Sequence, residues 1–163
     1  MSANKYAPHV LVLSEDNANV EITNGFKLHA ALDARAIQVL PCAGGWAKVR
    51  DTFLSNHVIA MKRYAKRYMI LLVDFDRDSA RFDEMTKDIP KDLAERVFVI
   101  GVWSEPEELR RADLGSKEDV GGKLASECYD GTRDVWNHDL LSHNANELTR
   151  MTTLLRPILF PQT

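Results

Sequence analysis

The residues best suited to chemistry are carboxylates placed directly after apolar runs. Glu15-Asp16 follows His9–Ser14 (HVLVLS), and Asp74-Phe75-Asp76-Arg77-Asp78 follows Tyr68–Val73 (YMILLV). If both runs are parallel strands, their carboxyl ends open onto one crevice, where ligands of open α/β sheets bind. Side chains alternate along an extended chain, so Asp74 and Asp76 are expected on one side, with Glu15 nearby. Three like charges raise one another's pKa values or demand a cation. Hard oxygen ligands suit Mg²⁺ or Mn²⁺, and Mg²⁺ held by one or two carboxylates keeps waters and recruits phosphates. The pattern therefore predicts a divalent-metal site for a phosphate-containing ligand. The competing explanation is helix capping, by Asp78 ahead of Ala80 and Phe82 and by Asp16 or Asn17 at the first helix.

Other candidates surround this set. Lys62-Arg63-Tyr64-Ala65-Lys66-Arg67-Tyr68 is the one dense basic cluster, and cations interleaved with tyrosines suit a nucleic-acid backbone and its bases. A solvated helix end explains the same residues. Arg77 and Arg81 lie nearer the acids and suit a substrate phosphate. Residues 74–95 hold eight acids against four bases, so nucleic-acid contact there must be local or metal-bridged. Gly44-Gly45 before Trp46 can cradle a phosphate at a helix N-terminus, or simply form a tight turn. His138, His143 and Cys128 do not match a zinc spacing. No Walker motif or GxGxxG is present.

Positioning these groups requires an ordered scaffold. The runs His9–Ser14, Ala36–Leu40, Tyr68–Val73 and Arg96–Val102 are continuous rather than alternating, as in strands buried on both faces. Between them lie helical spacings over Asp16–Leu32 (with Asn24-Gly25 as a candidate early end), Trp46–Tyr64, Asp78–Lys87 and Glu105–Asp113, the last with Ser104 as N-cap and Pro106 at its first position. The alternation predicts a single α/β domain: a mainly parallel four-stranded sheet with helices on both faces over residues 8–113. Residues 114–163 carry no strand pattern. Lys117–Tyr129, weakened by Gly121-Gly122, and Leu140–Leu155 read as a helical C-terminal cap packed on that core.

The chain has 163 residues, with 21 Lys and Arg against 24 Asp and Glu, a net charge of −3. That balance excludes a highly basic nucleic-acid coat, and the apolar runs are too short for a membrane span. Two cysteines, Cys42 and Cys128, make no disulfide framework and suggest a reducing compartment. With no apolar leader at the N-terminus, a cytoplasmic location is expected.

With those residues in place, the chain resembles the TOPRIM family of topoisomerases, bacterial primases, recombination mediators and nucleases of the overcoming-lysogenization-defect type. Glu15 follows the first apolar strand, Gly44-Gly45 the second, and Asp74-x-Asp76 the third, over roughly residues 8–102. Two positions depart from the pattern: Asp16 replaces the usual Gly, and Asn19 stands where an acid is common. The resemblance implies Mg²⁺ or Mn²⁺ held by Asp74 and Asp76, with Asp78 as a further acid and Glu15 as general acid/base or ligand. Glu105 or Glu108 would furnish a second metal site, the competing explanation being acids that suit the dipole at a helix N-terminus. The resemblance also implies phosphodiester hydrolysis on nucleic acid; the contact candidates for such a strand, read from their own charge and position, are Lys62, Arg63, Lys66, Arg67 and Arg77. The alternatives are a non-catalytic module binding nucleic acid or protein, with a homodimer left open, and a phosphotransfer receiver, which the lack of a Lys after the fourth strand disfavours.

Overall fold

Successive residues of the three longer strands are buried toward opposite faces, and this decides the layering. The computed structural model describes residues 2–162. Its strands are β1 (His9–Ser14), β2 (Ile37–Val39), β3 (Arg67–Leu72) and β4 (Val97–Ile100). They form one parallel sheet in the order β2-β1-β3-β4. Val10, Val12, Ile70, Leu72, Phe98 and Ile100 join one core, while Leu11, Leu13, Met69, Leu71, Val97 and Val99 join the other. Two buried faces explain the unbroken apolar runs.

Helices α1 (Asn17–Lys27), α5 (Glu107–Arg111), α6 (Lys117–Asp130), α7 (Ala145–Leu154) and α8 (Arg156–Leu159) cover the first face. Helices α2 (Trp46–Asn56), α3 (Val58–Arg63) and α4 (Arg81–Thr86) cover the second. The expected α/β sheet with helices on both faces is what the chain forms. Among the described residues, no helix is long and apolar enough to cross a membrane. Both cysteines are free thiols.

Several boundaries differ from the expectation. The segment expected as one helix over Trp46–Tyr64 breaks at His57 into α2 and α3. Ser104 does not cap α5; its Oγ is buried without a partner, and Pro106 occupies the cap position. Asn24-Gly25 does not end α1. Gly25 lies where α1 crosses α6, and a Cβ there would stand 2.0 Å from the Glu118 carbonyl oxygen. From the other side, a Cβ at Gly121 would stand 1.9 Å from the Ile22 carbonyl oxygen. These glycines are spacers for two backbones in contact, and the neighbouring Ser116–Asp119 capping box holds the start of α6.

The C-terminal segment also completes the sheet. The Val99 N–H donates to Glu147 Oε2 at 2.9 Å, and the Gly101 N–H donates to Asn144 Oδ1 at 3.2 Å. Asn144 Nδ2 returns a bond to the Gly101 carbonyl at 2.9 Å. Arg150 Nη1 donates to Glu147 Oε1 at 2.7 Å, so the buried carboxylate is paired. Side chains thus satisfy the outer edge of β4 where a fifth strand would otherwise lie.

Candidate active site at the carboxyl end of the sheet

The parallel pairing of β1 with β3 aligns Ser14 with Leu72, so both chains leave the sheet together. The Glu15 N–H makes the last rung, donating to the Leu72 carbonyl at 2.9 Å. Beyond it β1 turns into α1, and the next β3 donor, the Asp74 N–H, finds the Glu15 side chain instead. It donates to Glu15 Oε2 at 2.7 Å. The Glu15 carbonyl in turn accepts from the Gly44 N–H at 2.8 Å and the Gly45 N–H at 3.2 Å. Three of the segments singled out in the sequence therefore meet at Glu15.

Asp74 is the buried member of the site, 7 % exposed. Its Oδ1 accepts from Asn19 Nδ2 at 3.0 Å, and the same Nδ2 donates to Asp16 Oδ1 at 3.1 Å. Asp16 is also the N-cap of α1, accepting from the Asn19 N–H at 3.1 Å. Burial pushes the Asp74 carboxyl up to about 7; the Asn19 bond opposes the shift, and the nearby charges of Glu15, Asp16 and Asp76 add to it. Burial also raises Glu15, against the Asp74 N–H bond, with help from Asp16 and Asp76.

Asp76 is arranged differently from the alternation argument. β3 ends at Leu72, although pairing to the β4 side continues through the Phe75 N–H, which donates to the Val102 carbonyl at 3.0 Å. Asp76 and Arg77 then adopt left-handed backbone, with φ of 49° and 57°. Alternation therefore does not set the direction of Asp76. Its Oδ2 accepts from Arg81 Nη1 at 3.0 Å, and Arg81 Nη1 also donates to the Asp74 carbonyl. Arg81 is only 6 % exposed, and its guanidinium carbon lies 4.3 Å from the Trp46 ring centroid.

The remaining candidates have other occupations. Asp78 Oδ1 accepts from the Ala80 N–H at 2.9 Å, so this carboxylate closes its own turn, ahead of α4 but not at its N-cap position. Arg77 Nη2 donates to Glu108 Oε2 at 2.9 Å, so the proposed second-site acid already has a cation. Lys62, Arg63, Lys66 and Arg67 lie at the amino end of β3. Seven residues of extended chain separate Arg67 from Asp74, on the order of 20 Å. The basic cluster and the acids therefore occupy opposite ends of the sheet. Arg67 Nε donates there to His9 Nε2 at 3.0 Å. His143 packs on Phe75 at 4.6 Å between centroids, and burial lowers its pKa to about 4. Asn19 and Trp46 carry more of the site than their residue types announce. The available signal was position: Asn19 falls one turn after the Asp16 cap, and Trp46 opens the helix after the glycine pair.

Among the described residues, no three His, Cys, Asp or Glu side chains gather as a ready metal cage. The donors present are nevertheless hard oxygens. They are the Asp74 and Glu15 carboxylates and Asn19 Oδ1, which is buried without a hydrogen-bond partner. Such a sparse set fits a divalent cation that keeps waters and shares a substrate's phosphate, not one enclosed by protein.

No family model, curated protein or solved structure matches this chain. The chemistry must be argued from the crevice itself. One buried carboxyl sits close to its ionisation point at neutral pH, beside a second, raised carboxyl with only one oxygen engaged. An internal guanidinium stands at their edge. The arrangement can hold a cation or a proton and orient an anionic ligand.

Proposed function

We propose that this chain is a TOPRIM-like protein whose crevice carries out divalent-metal-dependent hydrolysis of a nucleic-acid phosphodiester. The observation behind this reading is the 2.7 Å bond joining Glu15 to the Asp74 backbone, which brings the first and third strand ends into one site. Asp74 and Glu15, with Asn19 Oδ1, would hold Mg²⁺ or Mn²⁺, joined by Asp76 once Arg81 releases its carboxylate. When bound, such an ion supplies Lewis-acid polarisation of a phosphoryl oxygen and lowers the pKa of a bound water. Glu15 holds the end of β3 with Oε2 and keeps Oε1 for a proton, and its raised pKa brings proton exchange closer to neutrality. Asn19 fixes the Asp74 rotamer through its amide. Arg81 neutralises Asp76 and would supply positive charge to a phosphate at the edge of the crevice.

A second reading is favoured by the way the acids are already compensated. Asn19 bridges Asp16 and Asp74, and Arg81 pairs with Asp76. A non-catalytic binding module would need no more. The test is incubation with single-stranded, duplex and supercoiled DNA and with RNA, in Mg²⁺ or Mn²⁺. Cleavage that disappears in Asp74→Ala and Asp76→Ala supports the enzyme. Binding without cleavage under either metal supports the module and ends the hydrolytic reading.

A further inference from the structure

The start of α2 presents unused positive groups beside the acidic crevice. Helix geometry leaves the N–H groups of Trp46, Ala47 and Lys48 without intrahelical acceptors, and no side chain caps them. The helix has 11 residues, long enough for its dipole to favour an anion there. Lys48 folds back over the glycine turn: its Nζ lies 3.8 Å from where a Gly44 Cβ would stand. No ion pair engages Lys48 among the described residues.

Arg81 supplies an independent sign of a ligand. It is more than nine-tenths buried, yet only Nη1 finds acceptors, and Nε is buried without one. Leaving the Nε–H donor idle in a desolvated place is costly. Its guanidinium carbon lies against the ring of Trp46, the first residue of α2. The Gly45 N–H bond to the Glu15 carbonyl, 3.2 Å, ties this helix start directly to the catalytic crevice.

We propose that the α2 N-terminus, Lys48 and Arg81 form a phosphate seat that holds a phosphate ester of a nucleic-acid strand next to the bond presented to Asp74. The inference rests on the reading of the crevice as a phosphodiester site, but binding at the seat requires no metal. Backbone N–H groups and Lys48 take the phosphoryl oxygens. Arg81 turns from Asp76 toward the same oxygens and frees the Asp76 carboxylate. Phosphate entry and exposure of the acid are thereby one event.

The experiment follows amide resonances of the ¹⁵N-labelled full chain in a metal chelator. The probes are inorganic phosphate, a 5′-phosphorylated oligodeoxynucleotide and the same oligonucleotide without that phosphate. Saturable shifts are expected at Gly45, Trp46, Ala47 and Lys48, larger for the phosphorylated strand than for its control. Lys48→Ala, an exposed substitution, is expected to weaken binding about fivefold, and Arg81→Lys about tenfold, as lost charge-assisted bonds require. Absence of shifts at these amides, or equal affinity in Lys48→Ala, overturns the seat. Shifts with inorganic phosphate that neither oligonucleotide produces overturn the assignment to a strand. Loss of metal-dependent cleavage with these shifts intact would defeat the hydrolytic reading alone. Intact cleavage without the shifts would defeat the seat alone.

Discussion

Glu15 Oε2 accepts the Asp74 N–H at 2.7 Å and so takes the place of a main-chain carbonyl at the frayed end of the sheet. Removing it strands a partly buried donor. Glu15→Ala is expected to destabilise the fold by about 1–3 kcal/mol in urea titration, whereas Glu15→Gln, which retains an acceptor, loses about half as much or less. Equal losses in the two variants would mean that the bond contributes nothing.

Asp74 gives the protein a distinctive pH profile. Its folded pKa of about 7 lies above the ordinary 3.8, so the folded chain holds this proton more tightly than the unfolded chain. Its contribution to stability is complete below the ordinary value and is lost as pH rises toward and through about 7. Asp74→Asn removes that dependence. The variant should exceed the wild type at pH 8 by roughly 1–3 kcal/mol, with the difference vanishing near pH 4. Urea midpoints across that range provide the check. Parallel curves for the two proteins would contradict it.

The same proton competes with a divalent ion for the carboxylate. Mn²⁺ affinity measured by calorimetry should therefore climb by up to about tenfold per pH unit below the Asp74 transition and level off above it. In Asp74→Asn the residual affinity should be weak and lack this dependence. A wild-type affinity that is flat from pH 5 to 8 would remove Asp74 from the ligand set.

The α1–α6 crossing provides a test far from the crevice. Gly25→Ala and Gly121→Ala each force a methyl group onto a carbonyl oxygen about 2 Å away. Each is expected to cost about 1–3 kcal/mol, or more where the helices must separate. Gly122→Ala, whose Cβ would meet nothing nearer than 3.9 Å, should be neutral or slightly stabilising. Thermal denaturation that ranks Gly122→Ala with the other two would contradict the close approach.

The strands and their layering are legible because burial on both faces leaves uninterrupted apolar runs; the run His9–Ser14 coincides with β1. Helix ends were less legible, since they depend on tertiary satisfaction. Ser104 looks like a cap in sequence but is buried without one, and the break at His57 has no Pro or Gly to announce it. In the crevice, strand order was enough to expect Glu15 beside Asp74. It was not enough for Asp76, because two consecutive left-handed non-glycine residues leave no periodic trace. The displacement of Lys62–Arg67 from the acids follows from strand direction: residues preceding a strand end up a full strand length from those following it.

The side chains along β4 bear on how the chain behaves as a unit. Glu147 and Asn144 bond to Val99 and Gly101, while Leu148, Met151 and Leu159 fill the core under the same sheet. Cleavage between Leu114 and Gly115 would not yield a free-standing N-terminal half. It would uncover a sticky β-ribbon and half of a hydrophobic interior, and the fragment would precipitate or pair with another strand before its carboxylates could be assayed.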